Sequence, residues 1–545
     1  MSPQLWVVAP IVVPLLGAAV SLLAWRAPRH HAKIATVATG GMLAAGIGLL
    51  VRTWRAGYGG GPSASFEPSA AMLTAEVGGF VPPFGIVLVC DLLAATMVVV
   101  TALLGLAVVV YSTATAGSDD ESLGYYPLVL VMLAGGAGAY LTGDLFNLYV
   151  WIEVMLVTSF ALLVLGGRWQ QIEGAVKYVT LNLLASMTLL TAVGLTYAMV
   201  GTLTMAHVAE LFQANAGEPM IVVVASLFVV SLGIKAASFP LFFWLPASYH
   251  TAPAAISALF SGLLTKVGVY ALFRLLTLIV PPAPELMGGV FDVPYLHGVV
   301  MWAGAFTMVT GVLGAVAMYD FRRILSVHII SQIGYMLVAV GLLGVTASDP
   351  RIPPEVGRLA VAGGIYYLVH NILVKANLFL VGGVTERLMG SGELENLGGL
   401  HRHRPYLAAM FFVSAMSLAG MPPMSGFFAK FAVIRAALEA DRGVMAAAAL
   451  VTGFLTLYSM LKIWKGAFWR PAPEDAPPLD EPPQDDLGIR WRLYAPIAVL
   501  TAATLAMGLA GQPVFELMFD AAEQMLRPEA YIDGVGLQME IQRVD

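Results

Sequence analysis

The chain has 545 residues, 59% of them apolar and only 11% Asp, Glu, Lys or Arg, with a mean hydropathy of +0.81; soluble domains carry roughly a quarter charged residues, so a water-soluble globular fold is excluded. The formal net charge is −6 and the basic residues stand in short clusters between apolar runs, which leaves no footprint for a nucleic-acid partner. The single cysteine, Cys90, excludes an intrachain disulfide and a thiolate metal cage.

A membrane-spanning helix needs about 20 apolar residues, and by that rule the chain holds about fourteen segments. In order they are 5–25, 34–52, 86–111, 126–142, 145–165, 174–199, 220–245, 254–280, 297–318, 324–345, 358–384, 406–434, 444–468 and 493–517. The first has no positive residue ahead of it and reads as a retained helix rather than a cleaved signal. Backbone polar groups cannot be left open to lipid, and no run alternates like a barrel strand, so the expected fold class is an all-α polytopic membrane protein. The seventh segment, SLGIKAASFPLFFWLPASYHTAP, contains Pro240 and Pro246, and the twelfth, SLAGMPPMSGFFAKFAVI, contains Gly420, Pro422, Pro423 and Gly426. Proline removes a helical donor and frees a carbonyl, so both helices are expected to be discontinuous.

Breaks five segments apart predict two inverted five-helix repeats. The division is then 1–125 for the first three helices and an external loop, 126–280 for the first repeat (helices 4–8), and 297–468 for the second (helices 9–13). A Pro-rich acidic cytoplasmic linker over 469–492 and a last helix with an external tail over 493–545 complete it. Loops after odd-numbered segments carry more Lys and Arg, among them Arg26, Arg29, Lys33, Arg322, Arg323, Arg402 and Arg404, than the others, with Arg52, Arg55, Arg351, Arg435 and Arg442. By the positive-inside rule both termini are expected on the external side of the cell membrane.

A charge near the bilayer centre costs at least ~2.5 kcal/mol on insertion scales, which makes each one a functional candidate. Glu153 lies eight residues past Leu145, about 12 Å into its helix at 1.5 Å per residue. Lys235 stands five residues before Pro240, Lys266 and Lys375 lie inside long apolar runs, and Lys430 follows the twelfth-helix break. His328 and His370 lie in neighbouring apolar runs and join the candidates because histidine titrates near physiological pH. Burial disfavours a charged ammonium and a nearby carboxylate restores it, so a Glu and a Lys within reach form a two-state element that takes up or ejects a proton. A row of such groups with intervening water is a proton wire. There is no GxxxxGK[ST], no GxGxxG after a strand and no GxSxG, and the HxH of His401 and His403 sits among arginines as a solvated basic loop. No cofactor and no metal is expected, and the chain reads as a transporter rather than an enzyme. A scaffold that only anchors partners stays open as a reading.

The run FPLFFWLPASYHTAPAAISALFSGLLTKVGVYALFR resembles the signature of the antiporter-like membrane subunits shared by respiratory complex I, membrane-bound hydrogenases and Mrp-type cation/proton antiporters. The similarity continues through DFRRILSVHIISQIGYM, HNILVKANLFL and GMPPMSGFFAKF and covers roughly residues 85–470. TGDLFNLYVWIEVMLVTSFALL followed by EGAVKYVTLNLLASMTLL looks most like the D subunit of the Mrp antiporters. The resemblance implies that Glu153, Lys235, Lys266 and Lys430 are the fifth-, seventh-, eighth- and twelfth-helix groups of a proton path, with His328 and Lys375 at the tenth- and eleventh-helix relay positions. His370 stands five residues before Lys375 where complex I relatives usually place a histidine four before; the spacing suits the Mrp branch. The resemblance also implies 14 helices, partner membrane subunits in a hetero-oligomer, and exchange of protons for Na+ or another monovalent cation. The proton-pumping arm of a redox complex is the alternative within the same superfamily.

Overall fold

The computed structural model describes residues 3–27, 30–59, 65–80, 85–117, 121, 123–282, 292–474 and 487–536. Most of the predicted acidic linker and the end of the tail lie outside the described residues. The α-helices of eight or more residues are α1 (Pro3–Leu23), α2 (His31–Gly57), α3 (Leu92–Ser112), α4 (Tyr125–Leu141), α5 (Leu145–Val164), α6 (Trp169–Val200), α7 (Met205–Ala214), α8 (Pro219–Lys235) and α9 (Ala254–Arg274). There follow α10 (Val293–Ala317), α11 (Phe321–Ser348), α12 (Pro354–Met389), α13 (Pro405–Ala419), α14 (Ser425–Glu439), α15 (Gly443–Ile463), α16 (Leu487–Leu509), α17 (Gly511–Met525) and α18 (Pro528–Val535).

Among the described residues, 11 helices are long and apolar enough to cross a membrane. Three further apolar helices, α4, α8 and α13, have 17, 17 and 15 residues and fall short of the spanning length. The helix starts follow from local chemistry. Asp91, Asp144, Asp292 and Asp320 each accept the backbone N–H three residues on, at 2.7–2.9 Å, and so satisfy donors that a helix leaves open at its first turn. Gly201, Gly390 and Gly420 close α6, α12 and α13 in the left-handed conformation that glycine adopts without a Cβ clash. Gly304, Gly311, Gly334 and Gly341 let α10 and α11 pack backbone against backbone, as small residues do between membrane helices.

The structure corrects two boundaries. Residues 87–90, expected as the start of the third helix, form strand β2, which pairs antiparallel with β1 (Leu73–Glu76), Leu73 opposite Cys90 and Glu76 opposite Val87. The short β-branched run VLVC fits a buried strand, and the Asp91 cap starts the helix only after it. The last predicted helix, 493–517, ends at Leu509; the chain continues as α17 and α18, amphipathic helices that hydropathy does not detect. These dock back on the bundle: Gln524 accepts from the Leu92 N–H at 3.0 Å and donates to the carbonyls of Pro68 and Ala71 at 2.9 and 2.8 Å.

Candidate functional site

Both discontinuous helices form as the proline and glycine positions require, and each break carries a lysine. Helix α8 ends at Lys235, and Ala237 takes a positive φ of 59°, a conformation that a residue with a Cβ adopts only under local constraint. The backbone groups freed by the break find partners: Trp244 Nε1 donates to the Ile234 carbonyl at 3.0 Å, and the Phe239 N–H donates to Thr307 Oγ1 at 2.8 Å. Gly268 of α9 packs directly on this break, its missing Cβ facing the Ala236 nitrogen. Lys235 Nζ donates to Ser186 Oγ of α6 at 2.8 Å, Ser186 Oγ donates to Glu153 Oε1 of α5, and the ammonium stands 3.6 Å from the same carboxylate oxygen. Lys235 is 6% exposed, which rules out a side chain snorkelling to the interface, whereas Glu153 is 24% exposed. A cavity of about 30 Å³, room for roughly one water, adjoins Lys235 between Tyr178, Asn182 and Trp244.

The second break holds Lys430 differently. Helix α13 ends at Ala419, and Lys430 Nζ donates to the Leu418 and Ala419 carbonyls at 2.9 and 3.0 Å, taking up acceptors that the break opens. The ammonium also lies 5.1 Å from the centroid of the Tyr335 ring. Around it runs a buried polar set: His328 Nδ1 is 3.3 Å from Ser331 Oγ, Gln332 Nε2 donates to Ser331 Oγ at 2.7 Å, and Tyr367 donates to Gln332 Oε1. The Tyr367 ring is stacked with His370, 5.5 Å between centroids, and His370 Nδ1 is 2.8 Å from Ser425 Oγ. Gly426 makes this closure possible, because a Cβ there would overlap the Ser417 carbonyl oxygen and come 3.0 Å from His370 Nε2. Gly426→Ala is therefore expected to cost about 1–3 kcal/mol by overpacking, seen as a lower unfolding temperature of the purified complex.

The structure thus gathers the candidates into two connected sets, Glu153 with Lys235 and His328 with His370 and Lys430. Lys266 and Lys375 stand apart from both. Lys266 Nζ donates to the Ser261 carbonyl at 2.6 Å and to Thr265 Oγ1 at 3.3 Å, within its own helix; Lys375 Nζ donates to the Leu325 carbonyl of α11 at 3.2 Å. Both are fully buried. Ser186, Ser425, Gln332 and Tyr367 are site residues that the sequence alone did not single out, since a serine or glutamine in an apolar helix carries no charge to mark it. Asp91, the cap of α3, is paired with Arg274, a buried charge that the pattern of lysines does not reveal. Among the described residues, no three His, Cys, Asp or Glu side chains stand together as a metal site.

Comparison with known proteins shows the family. The family described as NADH:quinone oxidoreductase/Mrp antiporter, TM, matches residues 142–456. The chain is 41% identical over 533 residues to the D subunit of the Na+/H+ antiporter of Alkalihalophilus pseudofirmus, covering 97% of this chain and 99% of that one. A chain of the Mrp complex from a Dietzia species superposes with a TM-score of 0.84 at 34% identity, over 98% of this chain and 100% of that one. A chain of an archaeal membrane-bound sulfane sulfur reductase superposes with a TM-score of 0.83 over 98% and 100%, at 22% identity, and shows the shared fold alone. The chain belongs to the NADH:quinone oxidoreductase/Mrp antiporter transmembrane family, on the branch of the Na+/H+ antiporter D subunits.

Proposed function

We propose that the chain is the proton-translocating subunit of a multisubunit Na+/H+ antiporter, a secondary transporter that works beside other membrane subunits in the cell membrane. The observation that carries this reading is the ammonium of Lys235 held 3.6 Å from the Glu153 carboxylate at the end of a helix broken inside the bundle. Parting the two leaves an uncompensated buried charge, which the site relieves by passing a proton onward. The onward groups in this reading are Lys266, Lys375, His328 and His370, with Lys430 at the far end. Sodium as the exchanged cation is supported by the name of the Alkalihalophilus relative, and the partner subunits by the Dietzia complex.

In this reading all fourteen apolar helices cross the membrane, with both termini external. The three short ones adjoin non-helical segments that complete the crossing: the break after α8, the break after α13, and Thr142–Asp144 after α4. Residues 126–280 and 297–468 are then the two inverted repeats, 1–125 precedes them, and 469–492 and 493–545 are the linker and the last helix with its tail. The two breaks, each in the fourth of its five helices, support the pairing of the repeats. The test is purification of the intact assembly in mild detergent and reconstitution into vesicles with an imposed pH gradient. Small hydrophobic partners and collapse of the gradient on adding Na+ are expected; co-purifying flavin or iron–sulfur subunits with no Na+ response would overturn the reading in favour of a redox-driven pump.

A further inference from the structure

Outside the two connected sets of polar groups stand Lys266 on α9, bonded within its own helix, and Lys375 on α12, bonded to the Leu325 carbonyl of α11. The register of these two helices follows from where their glycines touch. Gly383 packs on Ala254; a Cβ on Gly262 would come 3.3 Å from Ile372 Cγ2, and one on Gly364 would come 2.8 Å from Phe273 Cζ. The helices are therefore antiparallel, and Lys266 stands level with about residue 369 of α12, whereas Lys375 stands level with about residue 260 of α9, at 1.5 Å of rise per residue.

Helical spacing then decides what faces the gap. On α9, Gly262, Lys266 and Phe273 are four and seven residues apart and share one stripe; on α12, Gly364, Asn371 and Lys375 do the same. Phe273 touches Gly364, so the two stripes face each other, and Gly364 also touches Ala339 of α11, so they meet where α9, α11 and α12 converge. Asn371 is one turn from Lys375 on the side toward the level of Lys266. It is fully buried, and neither its Oδ1 nor its Nδ2 has a hydrogen-bond partner among the described residues. A buried amide has two donors and two acceptor sites, and leaving them bare forfeits the hydrogen bonds that water would give each group. Such a side chain calls for water beside it, and a water in a buried site typically makes about three hydrogen bonds.

We infer that Asn371 is the positioning residue of the handover between Lys266 and Lys375, its amide ordering the water across which a proton passes from one lysine to the other. In the step one ammonium gives a proton to a water, that water gives a proton to the neutral amine of the other lysine, and the water is regenerated; no electron moves. The amide suits this place because it donates on one side and accepts on the other without titrating, so it orients water and does not trap the proton. The inference rests on the relay reading proposed above.

The test uses the intact complex reconstituted in vesicles, with Asn371→Leu, which is of similar size and cannot order water, and Asn371→Ser, which keeps a hydroxyl and leaves room for a water. Asn371→Leu is expected to slow Na+-dependent collapse of the pH gradient about 10- to 100-fold, the range that misplacing a reacting group produces. Assembly and unfolding temperature should be unchanged or improved, and the solvent deuterium isotope effect should rise. Asn371→Ser is expected to retain most of the activity. An assembled Asn371→Leu complex of full activity overturns the inference, as does equal loss of activity and of unfolding temperature in both variants, which marks a packing role. Lys266→Ala and Lys375→Ala serve as the reference pair. Full activity in those two sinks the relay reading itself, while their inactivity beside an active Asn371→Leu sinks only the role of Asn371.

Discussion

Lys235→Arg is expected to assemble normally and to lose at least about 100-fold in Na+-dependent proton exchange, the lower end of what a positioned proton donor or acceptor contributes. Arginine keeps the positive charge that faces Glu153 and Ser186, so the ion pair and the break around Ala237 stay in place. It does not give up its proton at any accessible pH, so a group that must load and unload cannot be replaced by it. Lys235→Ala should be as inactive and should also lower the unfolding temperature, because it removes the donor to Ser186 and the charge that faces Glu153. Glu153→Gln keeps an acceptor for the Ser186 hydroxyl and removes the charge; it is expected to fall with Lys235→Arg, and Glu153→Asp to recover part of the activity. Gradient collapse in vesicles, followed with a pH dye, separates the cases. Full activity in Lys235→Arg would mean that the site needs a fixed charge and passes no proton.

How far this site is legible in the sequence depends on what marks a residue in a linear chain. A lysine or glutamate in an apolar run is conspicuous because lipid makes it costly, so Glu153, Lys235, Lys266, Lys375 and Lys430 stand out. The breaks are equally plain, because proline and mid-run glycine leave few other options. Pairing is not legible. That Glu153 and Lys235 meet through Ser186 depends on α6 lying against both α5 and α8, and nothing local to LNLLASMTLL announces it. The same holds for Tyr367 and Gln332, which join the two histidines of neighbouring helices. The strand Val87–Cys90 escapes because a short apolar run fits helix and strand alike, and α17 because its apolar face is diluted by Glu516, Asp520 and Glu523 on the other.

Arg274 is the clearest omission, and it carries the largest expected effect on stability. It ends α9 two turns beyond Lys266 and pairs with Asp91, which is 1% exposed while the arginine is 5% exposed. The guanidinium Nε also donates to the Tyr270 hydroxyl at 3.1 Å, and the Tyr270 and Tyr531 rings lie 5.2 and 5.6 Å from its central carbon. Asp91 at the same time caps α3 through the Ala94 N–H at 2.8 Å. Removing one partner of such a pair leaves a buried charge uncompensated, at about 3–5 kcal/mol. Arg274→Leu is thus expected to abolish or sharply lower the yield of assembled complex, and Asp91→Asn, which keeps the cap and loses only the charge, to do nearly the same. The double variant leaves an amide opposite an apolar side chain with no charge to solvate, and should recover most of the stability. Unfolding temperatures of the wild type, the two single variants and the double variant close the cycle and isolate the coupling between the two sites. If the double variant is as unstable as the sum of the singles, the pair contributes nothing as a pair, and each side chain acts through its own other contacts: the cap for Asp91, the tyrosine rings for Arg274.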